Sequence, residues 1–369
     1  MQHKFEDRVG ITIPTMNRSE FIIRQLKYYA KVGCPHTIYI VDSSPTDEFN
    51  KTDSYIKNLG DKINVVHKYF PPGPGHLEFL YSLVEEDYLC FCGDDDYQIP
   101  DTLTKCAQFL NNNRDYESAC GTSVTFRLKW HGQYKPYGEL DRLADYPRYS
   151  VEFDTATERL NYFFDNYFTA LVSVSRTENV KRNYKNTLEI KDLVIRDEIL
   201  QCGLTLAAGK SKVIDSLGFI HQIHDQMPYH LPDIYDWISG DNWLESIRML
   251  EKRVVKELMA IDKINERDAK TGFKQALWSY FNKQFPREYR EKYLALPIKQ
   301  LSKYKELKAK VGLTFPALKY LYKKWSSKIK GQSIRLHYGV LRPESKYYKD
   351  FKPVMDSFTG KLQLKDSAV

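Results

Sequence analysis

Mainly apolar runs alternate with amphipathic segments over the first part of the chain. The runs lie at residues 9–15, 37–45, 63–70 and 88–93. After the first of them, apolar residues recur at helical spacing over 17–33, and Gly33 predicts the end of a helix. Because the runs do not alternate with polar residues, each predicts a strand that is buried on both faces. The repeated strand–helix–strand units predict an α/β fold, with a mostly parallel sheet and helices on both faces.

The pattern changes after about residue 225. Helix-like segments rich in Lys and Arg follow, with little strand signal. We therefore predict two parts, an α/β domain over residues 1–230 and a mainly helical region over 231–369. Charge divides in a similar way, because residues 241–369 carry 29 Lys and Arg against 14 Asp and Glu, within chain totals of 55 and 48. This basic region predicts a polyanionic partner, either nucleic acid or an anionic membrane surface.

Targeting signals and the spacing of the cysteines indicate the cellular compartment of the protein. No run of about 18 apolar residues is present, and the first ten residues, MQHKFEDRVG, have no apolar signal core. The six cysteines show no C-x-x-C spacing, which favours reduced and buried thiols. We therefore expect a cytoplasmic protein without a transmembrane helix.

Three consecutive carboxylates follow the fourth apolar run directly. Asp94, Asp95 and Asp96, called the acid cluster below, stand in the stretch FCGDDDYQIP. Ligands of parallel sheets bind outside the carboxyl ends of strands, where Asp42 also stands, so we expect Asp42 to lie near the acid cluster. Carboxylates suit Mg²⁺ or Mn²⁺ together with substrate phosphates. The alternative is a solvated acidic turn that caps the next helix, a role for which Asp101 suffices.

Three segments, taken in order, carry a resemblance to a known family. VGITIPTMNR, IYIVDSSP and FCGDDDYQIPDTL together resemble the family-2-type inverting glycosyltransferases of the GT-A (Rossmann-like) fold, over about residues 9–225. The resemblance implies transfer from a nucleotide-sugar, with UDP as the expected nucleotide, and a divalent metal, Mn²⁺ or Mg²⁺. It implies nucleotide-sugar contacts at Pro14, Thr15, Asn17, Asp42, Gly73, Gly75 and Asp94, and metal contacts at Asp95, Asp96 and His224. The first acid of the family's signature falls on Gly93, a departure from the usual form.

An inverting transfer needs a general base that deprotonates the acceptor hydroxyl. In the family, a Glu-Asp pair stands about eleven residues before a Gly, and Asp197 with Glu198 matches it in reversed order before Gly209. The resemblance thus implies Glu198 as the base, with Asp197 and Asp192 as alternatives. The competing interpretation is that these are charged residues on a solvated helix face.

Two histidines close the last predicted strand of the core, in FIHQIHDQ. Some family members close the donor site with a His there, and the resemblance places it at His224. Residues three apart on a strand point to opposite faces, so we expect either His221 or His224, and not both, to face the site. A structural or surface role is the alternative for each.

The resemblance also bears on the acceptor and on rival activities. It implies a glycan or lipid-linked acceptor, and the basic C-terminal helices then predict contact with the inner face of a membrane, or alternatively a homo-oligomer. Nucleic acid is not expected as a partner. A two-metal polymerase would need further domains, and a nucleotidyltransferase would need a Gly-rich basic loop after the first strand. A degenerate, non-enzymatic binding or scaffold module is the remaining class of function.

Overall fold

The computed structural model describes residues 7–129, 135–224, 233–293 and 336–362. Its strands are β1 (Val9–Thr15), β2 (Thr37–Asp42), β3 (Asn64–Tyr69), β4 (Tyr88–Phe91), β5 (Tyr97–Gln98), β6 (Tyr116–Leu128), β7 (Leu140–Tyr146), β8 (Val174–Arg176) and β9 (Lys210–Gln222). Its α-helices are α1 (Ser19–Val32), α2 (Thr46–Leu59), α3 (His76–Ser82), α4 (Pro100–Asn112), α5 (Ala156–Asp165), α6 (Thr177–Tyr184), α7 (Leu200–Ala208), α8 (Ile234–Ile238), α9 (Trp243–Asp262), α10 (Glu266–Glu288) and α11 (Tyr348–Phe358). A π-helical turn, Ile195–Ile199, leads directly into α7.

The described strands form one nine-stranded mixed sheet. Their order is β3-β2-β1-β4-β8-β6-β9-β5, and β7 pairs with β6. Strand β1 pairs in parallel with β2 and β4, β2 pairs with β3, and β6 pairs with β9. Strands β5, β7 and β8 run antiparallel to their neighbours. Most strands therefore share one direction, which confirms the predicted α/β fold with a mostly parallel sheet.

Successive residues of β2 show that the sheet is covered on both faces. Ile38 and Ile40 belong to a core that also contains residues of α1, α4 and α11. Tyr39 and Val41 belong to another core, which contains residues of α3 and α6. All four side chains are buried. A strand that is buried on both faces needs an unbroken apolar run, which is the pattern that predicted it.

A third core, called the helical core below, lies mainly among helices. Helices α5, α7, α9 and α10 pack around Phe163, Leu204, Leu250 and Phe273. Residues from both sides of position 230 meet in this core. Helix α11 instead packs against α1, and its last residue, Phe358, stacks on Phe126. The division of the chain at residue 230 stays a prediction from the sequence.

Helix α1 places its first turns at the carboxyl edge of the sheet. It follows β1 after a short loop and ends at Gly33, whose φ of 64° is the left-handed conformation that glycine adopts at low cost. The Gly33 N–H donates to the carbonyl oxygen of Ala30 and so satisfies one of the last free carbonyls of the helix. Residues near the start of α1 are thereby held beside the ends of β1 and β4.

Two further predictions concern the whole chain. All six cysteines are free and buried. Within residues 7–129, 135–224, 233–293 and 336–362, no helix has both the length and the apolar character that a membrane crossing requires.

Candidate active site

Three parallel strands end side by side at one edge of the sheet, and predicted site residues follow them. Thr15, the last residue of β1, pairs in register with Asp42, the last residue of β2. The acid cluster follows β4, which pairs with the other side of β1. The Thr15 hydroxyl donates to Asp94 Oδ2 over 2.8 Å. Thr15 therefore stands between Asp42 and the acid cluster, and the fold brings these predicted residues to one edge.

Asp94 and Asp95 are buried and share one cationic partner. Arg18, in the loop before α1, places Nη1 at 2.7 Å from Asp94 Oδ1 and Nη2 at 2.8 Å from Asp95 Oδ2. His224 Nε2 lies 3.0 Å from the same Asp95 oxygen. All three members of the acid cluster are less than 9% exposed. The cluster is therefore a buried, charge-compensated site, and the alternative of a solvated acidic turn is wrong.

Asp96 is bound to the end of β9. Its Oδ1 accepts the Gln222 backbone N–H over 2.9 Å and lies 2.9 Å from His221 Nδ1. The expectation that only one of the two histidines faces the site is wrong, because His221 contacts Asp96 and His224 contacts Asp95. Strand β9 ends at Gln222, so the alternation of side chains along a strand does not extend to His224.

Two side chains of α1 hold the backbone of the acidic loop. Arg24 Nη2 donates to the Asp95 carbonyl over 2.7 Å, and Gln25 Nε2 donates to the Gly93 carbonyl over 2.6 Å and to that of Asp96. A Cβ at Gly93 would lie 2.8 Å from Asp96 Oδ2 and 3.0 Å from Asp95 Oδ1. The departure from the family's usual first acid thus has a steric consequence, since it leaves room for the carboxylates that follow.

Burial and neighbouring charges set the pKa values in the acid cluster. Burial, together with the Asp95 charge, raises the pKa of Asp94 to about 7, although Arg18 and the Thr15 hydroxyl oppose the rise. Burial also raises the pKa of Asp96 against the opposing effect of His221. Burial disfavours the charged form of His221, but the Asp96 carboxylate raises the pKa of that imidazole above its usual value. Negative charge at this edge is therefore poorly solvated and depends on positive partners.

Asp42 lies in a smaller polar network beside the acid cluster. Its Oδ1 accepts the Ser44 N–H over 2.8 Å, and His67 Nε2 lies 3.4 Å from Oδ2. Burial disfavours the charged carboxylate, but the hydrogen bonds from His67 and Ser44 hold the pKa of Asp42 below its usual value. The Phe49 ring stacks on His67, and the Asn17 N–H donates to Ser44 Oγ over 2.7 Å. The loops after β1 and β2 are thus joined, with Asp42 ionised between them.

The remaining predicted nucleotide-sugar contacts lie at different distances from the acid cluster. Asn17 has a φ of 58°, a left-handed conformation that Asn tolerates, and Pro14 pairs in register with Val41 inside the sheet. Gly73 and Gly75 lie in the loop between β3 and α3, both with positive φ. Strands β2 and β1 separate that loop from the end of β4. The loop therefore flanks the Asp42 side of the edge, and the acid cluster stands on the other side of β1.

Two of the base candidates, Asp197 and Glu198, lie on the π-helical turn, and the third, Asp192, lies three residues before it. Asp192 accepts the Ile195 N–H over 2.9 Å and the Trp237 indole N–H over 2.7 Å, so it caps the turn and ties it to α8. Asp197 accepts two hydrogen bonds from Arg196, each of 2.8 Å. Both carboxylates are engaged in holding the fold. Together with Glu198 they are called the acidic turn below.

Glu198 has the environment of a group that can take up a proton. Burial raises its pKa above the usual value, and a hydrogen bond with Tyr167 opposes the rise only in part. Tyr146 connects Glu198 to the other site, because its ring centroid lies 5.5 Å from that of His221 and the charges of Asp96 and Glu198 both raise its pKa, after burial. One tyrosine thus lies near Glu198 and near the acid cluster.

Sequence reasoning missed several members of the site. Arg18 stands in VGITIPTMNR directly after Asn17, but a positive charge in that loop does not reveal which carboxylates it meets. Tyr146 and Tyr167 lie in an aromatic-rich stretch whose residues are equally suited to a core. A search for basic residues beside each strand end would have found Arg18. No local pattern distinguishes the two tyrosines.

The resemblance implies a divalent metal, and the donor set fits one in its chemistry. Asp94 Oδ1 and Asp95 Oδ2 converge on a single cationic group, the Arg18 guanidinium, and carboxylate oxygens are the ligands that Mg²⁺ and Mn²⁺ prefer. Among the residues that the structure describes, no group of three or more His, Cys, Asp or Glu side chains is arranged to hold a metal ion. Two protein carboxylates together with substrate phosphates are a usual Mg²⁺ arrangement.

Comparison with known proteins decides the fold. No family model matches the chain, and no curated protein sequence matches it. The crystal structure of S. aureus TarS 1–349 matches with a TM-score of 0.50 and 15% identity, over 96% of this chain and 90% of that one. A longer S. aureus TarS structure matches with a TM-score of 0.51 and 14% identity, over 95% of this chain and 54% of that one. The chain has a GT-A fold. This finding confirms the fold that the three sequence segments predicted.

Proposed function

We propose that this chain is a metal-dependent inverting glycosyltransferase that moves a sugar from a nucleotide-sugar, a UDP-sugar, to a hydroxyl of a glycan or lipid-linked acceptor. One observation carries the proposal: three buried carboxylates stand beside Asp42 at the carboxyl edge of a GT-A sheet. Buried carboxylates are costly, and three in sequence at such an edge are suited to a cation and a diphosphate. The resemblance of the three segments supports the same activity.

The residues at this edge would have different roles in binding the nucleotide-sugar donor. Asp42 is ionised and lies between the loops after β1 and β2, where it would accept hydrogen bonds from the nucleoside. Asp94 and Asp95 would hold the divalent ion, whose chemistry when bound is to neutralise the diphosphate leaving group. Asp96 is bound to His221 and the Gln222 N–H, so we assign it to fixing the loop against β9. That division departs from the family pattern, which implies Asp94 as a nucleotide-sugar contact and Asp96 as a metal contact.

Glu198 is our candidate for the general base. Its pKa is raised by burial, and a raised pKa brings a carboxylate closer to the operating range of a base near neutral pH. Asp192 and Asp197 carry the structural contacts described above, which makes either a poorer candidate. Tyr167 would orient the Glu198 carboxylate through its hydroxyl. In this assignment the base abstracts the acceptor proton as the acceptor oxygen attacks the sugar.

Calorimetric titration with UDP tests the donor site. We expect UDP to bind in the presence of Mn²⁺, and binding to fall by roughly 100-fold in Asp95→Ala, because a charged ligand is lost from a buried site. The matched control is Asp101→Ala, which removes an exposed carboxylate six residues further along, paired with Lys105. Absence of binding to UDP, GDP, CDP and dTDP by the folded wild type would support the non-enzymatic scaffold module instead.

We also propose that the basic C-terminal segment holds the enzyme at the inner face of a membrane, close to a lipid-linked acceptor. The segment lies at 294–335, outside the described residues, so the proposal rests on its composition: Lys alternates with Leu, Tyr and Trp in SKYKELKAK and YLYKKWSSKIK. Sedimentation with vesicles containing anionic lipid checks it. Binding to anionic vesicles and not to neutral ones is the expected result, and a stable homo-oligomer without vesicle binding would favour the alternative.

A further inference from the structure

The Arg18 guanidinium lies where the two carboxylates proposed to hold a metal converge. Two of its nitrogens reach two different residues, Asp94 at 2.7 Å and Asp95 at 2.8 Å. The Arg18 side chain is 19% exposed, against 7% and 11% for the carboxylates. The cation thus covers the oxygens on their open side. A guanidinium cannot lose its charge in a protein, so the positive member of this pair does not titrate.

A guanidinium and a divalent ion are mutually exclusive at such a position. A metal held by Asp94 Oδ1 and Asp95 Oδ2 together would need both oxygens at about 2.0–2.1 Å, and the Arg18 guanidinium already contacts those two oxygens at 2.7 and 2.8 Å. Two cations side by side in a poorly solvated site also repel each other strongly. One of them must therefore give way before the other occupies the pair.

We propose that Arg18 occupies the divalent-cation position of this chain, and that it must leave Asp94 and Asp95 before a metal ion binds there. The inference rests on the proposed function, in which these carboxylates hold the metal. It adds a residue that competes with the metal. Arg18 acts through the carboxylates and is a positioning residue in this scheme.

The backbone allows Arg18 to move by its side chain alone. The Arg18 carbonyl accepts the N–H groups of Phe21 and Ile22 over 3.0 and 3.2 Å, which anchors the residue at the start of α1. Its guanidinium lies over the Phe21 ring at 4.4 Å, a contact that fits a planar cation and does not involve the carboxylates. Rotation of the partly exposed Arg18 side chain would leave these backbone bonds at the start of α1 unbroken.

Arg24 shows by contrast what a purely structural arginine looks like at this edge. It is fully buried and donates to the carbonyl of Asp95 and to Gln222 Oε1, and these bonds involve no carboxylate. Arg18 is partly exposed and has two carboxylates as partners. The partners of Arg24 indicate a structural residue that holds the backbone. The partners of Arg18 indicate a counter-ion that another cation can replace.

The exchange predicts cooperation between metal and nucleotide. A bound diphosphate offers the displaced guanidinium a new anionic partner, so nucleotide should favour release of Asp94 and Asp95 and thereby favour metal binding. By linkage, the metal must then raise nucleotide affinity by the same factor. Removing the guanidinium should tighten metal binding in the absence of nucleotide and reduce the coupling between the two ligands.

The test is Mn²⁺ binding without nucleotide, followed by the EPR signal of free Mn²⁺, for wild type, Arg18→Gln and Arg18→Lys. We expect Arg18→Gln to bind Mn²⁺ about tenfold more tightly than wild type, since a like charge has left a poorly solvated site. Arg18→Lys keeps a charge but loses the two-pronged contact, and should fall between the two. The matched control is Lys31→Gln, which removes an exposed positive charge from the other end of α1.

The outcomes separate this inference from the proposed function. Metal-dependent UDP binding by wild type, with Mn²⁺ affinity unchanged or weaker in both Arg18 variants, would overturn the inference alone. Tighter Mn²⁺ binding by Arg18→Gln, with no nucleotide binding by any folded variant, would support the inference and overturn the proposed donor site. Thermal melting of each variant shows whether it is folded. Should Arg18→Gln fail to fold, Arg18→Lys decides the matter by the same comparison.

Discussion

The acid cluster and the acidic turn are both runs of carboxylates, yet the fold treats them differently. In the acid cluster, every carboxylate has a partner from a different element: Arg18 before α1, and His221 and His224 at the end of β9. In the acidic turn, Asp197 pairs with the residue next to it, and Asp192 caps its own turn and also accepts the Trp237 indole N–H. Basic partners from remote elements therefore mark the acid cluster, whereas the basic partner of Asp197 is local and the two partners of Asp192 are neutral N–H groups.

The origin of its partners distinguishes a structural carboxylate from one that can belong to a binding or catalytic site. A carboxylate whose hydrogen bonds come from its own helix requires no bound ligand to stabilise its charge, and its role is structural. A charge that depends on partners from several strands and helices exists only because the fold assembles it, at a cost in solvation. Glu198 belongs to the second kind in spite of its neighbours, because burial raises its pKa and its partner Tyr167 lies 31 positions away in the sequence.

The largest effect on turnover is expected at Glu198. Glu198→Gln keeps the size of the side chain and its bond to Tyr167 but removes the base, so we expect turnover of a UDP-sugar with its acceptor to fall about 10²–10⁴-fold. Asp197→Asn is the matched control, with a fall of less than about tenfold. Product formation by mass spectrometry checks both variants. A larger loss in Asp197→Asn would reverse our assignment of the base.

A buried carboxylate outside the acid cluster and the acidic turn tests whether burial alone identifies a carboxylate with a role in the reaction. Glu117 on β6 accepts a 2.6 Å hydrogen bond from Asn179, and burial raises its pKa to about 7. Between its usual pKa near 4.5 and about 7, the folded protein holds a proton that the unfolded chain has lost. Stability from this group is therefore lost as pH rises through that window and does not fall further above it.

Glu117→Gln should remove this pH-dependent loss of stability. Relative to wild type, its free energy of unfolding should rise by about 3 kcal/mol between pH 4.5 and pH 7, with turnover unaffected. Urea unfolding at several pH values measures the difference, and Glu178→Gln, at an exposed position on α6, is the control. A difference that does not change with pH would contradict the prediction. Loss of turnover would show that a raised pKa here has a role in the reaction.

A smaller effect is expected at Asp192, in the structural part of the acidic turn. Asp192→Ala removes the cap from Ile195 and leaves the Trp237 indole N–H without its acceptor, so we expect a loss of about 1–3 kcal/mol in the free energy of unfolding. Turnover per folded molecule should stay within about tenfold of wild type. Urea unfolding and activity on the same preparation check the two parts. Asp241→Ala, at an exposed position near α9, serves as the control.

The smallest effect is expected at Asp101, close in sequence to the acid cluster but exposed. It pairs with Lys105 one turn later on α4 at 2.9 Å, and such surface pairs contribute about 0.3–0.5 kcal/mol. Asp101→Ala should therefore lower the free energy of unfolding by less than about 1 kcal/mol and leave UDP binding unchanged. A clear loss of UDP binding would extend the donor site beyond the buried carboxylates.

Much of the fold was predictable because its signals are local. The apolar runs mark β1, β2 and β4, which are almost entirely buried. The run at 63–70 also contains a strand, but the prediction that it is buried on both faces is wrong, because β3 lies at the end of the sheet and none of its residues is buried. The end of α1 was predictable from Gly33, which has the conformation that a helix end requires. Proximity of Asp42 to the acid cluster followed from a rule of parallel sheets, that strand ends share an edge, and needed no knowledge of long-range contacts.

The partners of the carboxylates could not be predicted in the same way. Arg18 meets residues 76 and 77 positions away, and His221 and His224 meet residues more than 120 positions away. A strand rule assigned the two histidines to opposite faces, and it failed because β9 ends between them. The packing of α11 on the sheet is equally remote, since Phe358 stacks on Phe126 of β6, which lies more than 200 positions earlier in the sequence.

Strands β5, β6, β7 and β8 were not predicted from the sequence. The sequence alone did indicate β1 to β4, the order in which they follow, and the acidic residues at their ends. These features depend on hydrophobic periodicity and on neighbours within a few positions, which every unfolded copy of the chain already contains. Only the tertiary structure decided that Arg18 lies between Asp94 and Asp95, that two histidines close the site, and that Glu198 is buried beside Tyr167. The reason is physical: a counter-ion and a desolvated carboxylate are defined by which remote surfaces meet, and no local pattern records that meeting.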